Sequence, residues 1–115
     1  MNQEEFISAI KIAVVDSTVK SIKSVLIKPP GRQPGLKLLE TSKWFNNLNE
    51  IDKNMVLDIV QETAETSLFS FLCVLDGVSA IEGRGEKGKL NLYFEKNGVK
   101  TFLNNPDDDL LHELL

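Results

Sequence analysis

Apolar and polar positions change rhythm three times along the chain. From residue 3 to 27, Phe6, Ile7, Ile10, Ala13 and Val14, then Val15, Val19, Ile22 and Leu26, recur every three or four residues. That is the period of an α-helix with a core-facing stripe. The stripe is wide, which predicts cover on two sides. Glu4 and Glu5 suit the positive end of such a helix and Lys28 its negative end. Pro29-Pro30 stop it, because proline lacks the N–H and restricts the residue before it. KPPGRQPG (28–35) then predicts a stiff, turn-rich linker.

A second helix is predicted over 36–48, with Leu38, Leu39, Phe45 and Leu48 on its apolar side and Trp44 anchoring it in the core. A third begins near Ile51, its stripe made by Ile51, Met55, Val56, Ile59, Val60 and Ala64. From Leu68 the polar positions nearly vanish, in LFSFLCVL. A run of this length fits a buried strand or the buried end of a helix. No turn signal interrupts QETAETSLFSF, which favours one helix over 51–80.

After residue 89 the rhythm becomes one of two. KLNLYFEK and VKTFLN flank Asn97-Gly98, a strong signal for a two-residue hairpin turn. The hairpin is predicted over 89–104, with Glu95 facing Lys100, Phe94 facing Thr101, Tyr93 facing Phe102 and Leu92 facing Leu103. Leu90, Leu92, Phe94 and Leu103 then share a face that must dock on the helices, since a lone hairpin is marginal. Tyr93 and Phe102 share the opposite face, an aromatic patch wherever the chain leaves it uncovered. Pro106 ends the strand, and 107–115 predicts a short terminal helix with acids in its first turn. The fold class expected is α+β, mainly α: a three-helix core with a C-terminal β-hairpin and a short terminal helix, as a single domain over 1–115.

Composition narrows the function classes. With 115 residues, 42% hydrophobic and 26% charged, the chain is globular rather than disordered. One cysteine and one histidine exclude an intramolecular disulfide and a Cys/His zinc site within one chain. A reducing cytoplasm fits that usage. No apolar run approaches membrane-spanning length, and the N-terminus carries acids where a signal peptide carries bases. A net charge of −4 disfavours nucleic acid. The bases Lys20, Lys23, Lys28, Arg32, Lys37 and Lys43 leave nucleic-acid binding as a minor alternative.

Several motifs bear on chemistry. EGRGEKGK (82–89) spells both G-x-G-x-x-G and G-x-x-x-x-G-K. A phosphate loop must follow a strand and open a helix. Here a helix precedes and a strand follows, and Leu90 stands where a magnesium-binding hydroxyl is needed. No cofactor is therefore expected, and the segment reads as a chain reversal with Arg84, Lys87 and Lys89 as a basic spot for an acidic partner. Asp58, Glu62 and Glu65 recur at i, i+4 and i+7 on one helical face, where carboxylates can serve a hard cation such as Mg²⁺. The Glu62-Thr63-Ala64-Glu65 pair resembles the E-x-x-E of the all-α NTP pyrophosphohydrolases. Those enzymes carry an E-x-x-D on the next helix, and no such pair follows here. The carboxylate spacing makes a metal-dependent hydrolase using Asp58, Glu62 and Glu65, with Asp76 as a fourth ligand or base, the alternative expectation. Asp76 itself reads as a helix-end cap or as a buried acid paired with Arg84 or a lysine. Cys73 reads as core, because the only histidine, His112, lies beside the C-terminus. Leu111-His112-Glu113-Leu114-Leu115 matches the L-x-x-L-L of helical docking motifs and reads as an amphipathic cover for the chain's own core.

The leading expectation is a small, soluble, non-enzymatic protein-interaction module of the cytoplasm, such as a bacterial adaptor, inhibitor or immunity-like protein. It would bind a protein partner or a second copy of itself through Tyr93, Phe102 and Arg84.

Overall fold

Asn2 opens the first helix: its side-chain oxygen accepts the Glu5 N–H at 2.8 Å, a side-chain cap for an otherwise orphaned donor. The computed structural model describes all 115 residues. Helix α1 spans Gln3–Ile10, Lys11–Asp16 widen into a π-helical stretch, and α2 spans Ser17–Ile27. Together they form the uninterrupted helical run predicted over 3–27. The carbonyls that the Pro29-Pro30 stop leaves orphaned are met from the next helix, α3 (Leu36–Asn46). Ser42 Oγ donates to the Leu26 carbonyl at 2.7 Å, and Asn46 Nδ2 donates to the Ile27 carbonyl at 3.0 Å.

Helix α3 stops two residues short of the predicted 48. Trp44, expected in the core, is 54% exposed, and its neighbour Phe45 is buried instead. The reason is phase. Ser42, which bonds the Leu26 carbonyl of α2, and Phe45 lie three apart on one buried face, and Trp44 points about 100° away from Phe45. Asn49, which reads as the fraying end of α3, instead starts α4 (Glu50–Leu75): its side chain accepts the Asp52 N–H at 2.8 Å.

The apolar run 68–75 is helical. The helix ends at Leu75 rather than at 80, because Gly77 takes a left-handed φ of +76° and closes the end. The N–H groups of Val78 and Ser79 return to the Cys73 carbonyl at 2.9 and 3.1 Å, a glycine-based C-terminal closure.

Strands β1 (Tyr93–Lys96) and β2 (Val99–Phe102) pair antiparallel in the predicted register, Tyr93 with Phe102, Phe94 with Thr101 and Glu95 with Lys100. Asn97 and Gly98 both take positive φ, 53° and 76°, as a type I′ turn requires. The Leu103 N–H donates to the Leu92 carbonyl at 2.8 Å, extending the pairing one step. The terminal segment departs from the prediction. In place of a helix over 107–115 there is a turn at Asn105–Asp108 and a single 3₁₀ turn, Leu111–Leu114. So short a piece does not nucleate an α-helix alone, and its first N–H groups are held from elsewhere. The architecture is mainly α within α+β: the helical run 3–27, α3, α4, one hairpin and the 3₁₀ turn.

Compactness divides the chain into two units, residues 1–12 with 66–115, and residues 13–65. The first has a core of Ile7, Leu68, Leu72, Cys73, Leu103 and Leu111. The second buries Val15, Leu26 and Phe45, with Ser42 beside them.

Candidate functional site

In the unit formed by 1–12 and 66–115, the polar side chains converge on Asp76, just past the end of α4. Its carboxylate is all but fully buried. Asp76 Oδ1 accepts the Leu111 N–H at 3.0 Å, and Oδ2 accepts the His112 N–H at 2.9 Å and lies 2.8 Å from His112 Nδ1. The expected partner, Arg84 or a lysine, is replaced by the histidine and two backbone donors, so the buried charge is met by three hydrogen bonds. The carboxylate caps the 3₁₀ turn and closes the first unit's C-terminal segment onto the end of α4. Phe69 meets the His112 ring edge-on, with centroids 5.5 Å apart. His112 is thus a held side chain rather than a frayed one.

Two further residues complete this polar frame. Buried Asn104 donates from Nδ2 to the carbonyls of Leu75 and Leu90, each at 2.7 Å, and accepts the Leu92 N–H at 2.7 Å. Gln3 Nε2 donates to the carbonyls of Leu103 and Asp109, each at 2.7 Å. Nothing in the local pattern marks Asn104 or Gln3, because their partners lie far along the chain.

A carboxylate on Nδ1 also orients the histidines of hydrolytic triads. Such chemistry needs a nucleophile on the other ring nitrogen. Cys73, the chain's one thiol, is buried in α4. The three hydrogen bonds latch the 3₁₀ turn to the end of α4.

The same unit holds a cavity of about 600 Å³ walled by the end of α4, the loop 77–91, Asn104 and Pro106. EGRGEKGK forms part of this wall. Glu82 Oε2 accepts the Gly88 N–H at 2.7 Å, so the loop is tied by its own acid, and Arg84 is exposed in it.

The acids Asp58, Glu62 and Glu65 are exposed on α4. No group of three or more His, Cys, Asp or Glu side chains in the chain is placed to hold a metal ion. The predicted joining of Asp76 to the three acids is thus not made.

On the hairpin, Tyr93 stacks on Phe102 with centroids 4.8 Å apart, and Lys100 Nζ stands 4.9 Å from the Tyr93 centroid. Leu103 on the opposite face is fully buried and Leu92 and Phe94 are half-buried, whereas Leu90 is exposed. Tyr93 and Val99 remain exposed. The hairpin therefore docks by one face and presents aromatic and cationic groups on the other. No helix is long and apolar enough to cross a membrane.

Comparison with protein-family models, with curated proteins and with solved structures finds no match to this chain.

Proposed function

We propose that this chain is a non-enzymatic protein-interaction module of the cytoplasm. The observation that carries the reading is the outer hairpin face: stacked Tyr93 and Phe102 capped by Lys100, with Tyr93 exposed to water. Aromatic side chains beside a cation are the composition of interface hot spots rather than of ordinary surface. A rigid two-residue turn holds them in place, so little ordering is required on binding. The fate of the reactive groups supports the non-enzymatic part: Asp76 and His112 hold each other, Cys73 is core, and the α4 acids face water.

The test is affinity capture from the source cells with the full chain as bait, comparing wild type with Tyr93→Ser. The same protein is expected with wild type and at least tenfold less of it with the variant, the loss typical of a hot-spot residue. Equal recovery by both proteins, with circular dichroism unchanged, would overturn the hairpin face as the interface.

A further inference from the structure

The first half of α4 carries an apolar stripe that the fold does not use. Ile51, Met55 and Ile59 recur at i, i+4 and i+8 and are 77%, 58% and 57% exposed. Val56, Val60 and Ala64, from the same predicted stripe, are half-buried on the other side of the helix. No residue of 50–65 is fully buried. The helix is therefore apolar on two opposite faces, one partly covered and one bare. A polar face at 51, 55 and 59 would serve the helix equally well, so the bare stripe is explained by binding.

Charge identifies the occupant. At 100° per residue, Asp58 and Glu62 fall on the same side as the stripe, and Asp52 falls on its shoulder. All three are exposed and stand in no ion pair. The only base in α4, Lys53, lies on the covered side, 3.6 Å from Glu50 and over the Phe45 ring. The stripe is thus an aliphatic ridge edged by uncompensated negative charge. We propose that it docks a basic amphipathic helix of a partner protein, with aliphatic side chains on Ile51, Met55 and Ile59 and Lys or Arg toward Asp52, Asp58 and Glu62. This deepens the interaction reading and rests on it, by naming the partner's chemistry at a second surface. A second copy of the chain would bring acid toward acid at a net charge of −4. Nucleic acid and anionic lipid are repelled for the same reason.

The probe is a 14-residue leucine/lysine peptide with leucines at helical spacing, about 21 Å long when helical, titrated calorimetrically into the full chain at low salt. Binding is expected, weakening as salt rises. The double variant Met55→Ser/Ile59→Ser should lose affinity about tenfold or more. Asp58→Asn/Glu62→Gln should lose it several-fold and flatten the salt dependence. These residues are exposed, so the variants keep the wild-type circular dichroism. Three outcomes overturn the proposal: no heat with the peptide, equal affinity in the Met55→Ser/Ile59→Ser variant, or equal binding of a leucine/glutamate peptide of the same pattern. A dimer in sedimentation that the same double variant dissociates would assign the stripe to a second copy and likewise overturn it. Tyr93→Ser should bind the peptide as wild type does. If the peptide fails while Tyr93-dependent capture persists, the stripe assignment falls and the interaction reading stands.

Discussion

Single residues carry the C-terminal architecture through polar contacts over long sequence separations. Asp76 holds three groups at once, so Asp76→Ala leaves buried donors unmet and should destabilise the chain by about 3 kcal/mol in urea denaturation. A cost below about 1 kcal/mol would contradict the latch. The sequence marks Asp76 as an acid in need of a partner. It does not mark the partner, because His112 lies 36 positions away and local periodicity has no reach over that distance. The α3 pair gives a contrast between adjacent aromatics. Phe45→Ala should cost about 3–4 kcal/mol as a large-to-small core change. Trp44→Ala should cost less than about 1 kcal/mol in the same assay, since over half of its surface already meets water. Both aromatics fit an apolar stripe by spelling, and only the burial of the face that Phe45 shares with Ser42 decides which turns inward.

Elements defined by local chemistry were legible, and elements ended by distant contacts were not. The Asn97-Gly98 turn fixes the hairpin register by itself, and every pair of the ladder follows from it. Gly98 sits at φ +76°, so Gly98→Ala should destabilise by about 1 kcal/mol, read as a lower thermal midpoint. No change would mean that the turn is not of this type. The end of α4 at Leu75 rather than 80 is the exception: it is set locally by the left-handed Gly77, which apolar spacing does not report. The terminal segment spells a helix because its acids mimic an N-terminal turn, while in the structure the donors Leu111 and His112 are committed to Asp76. For α4 the apolar spacing was visible but its division was not. Periodicity identifies an apolar residue without saying which of two opposite faces its neighbours cover.

At the scale of the whole molecule, surface is left over. The chain exposes 8600 Å², whereas two separate compact bodies of half its 12.9 kDa would together expose about 7,600 Å². The difference from that figure is about 1,000 Å², comparable with the roughly 800 Å² that each partner buries in a standard protein interface. The bare face of α4 and the outer face of the hairpin contribute exposed apolar side chains to this surface. The candidate acids on α4 were legible as a set, and their meaning changes with the structure: instead of converging on a cation, they edge an aliphatic ridge.

The central claim is that the first half of α4 is a binding face left uncovered in the free chain. Hydrogen exchange of the free protein, followed peptide by peptide, tests it most directly. Amides of 50–65 should exchange well ahead of those of 66–75, because Leu68, Leu72 and Cys73 are buried and no residue of the earlier half is. Equal protection across both halves of α4 in the monomeric protein would contradict the claim.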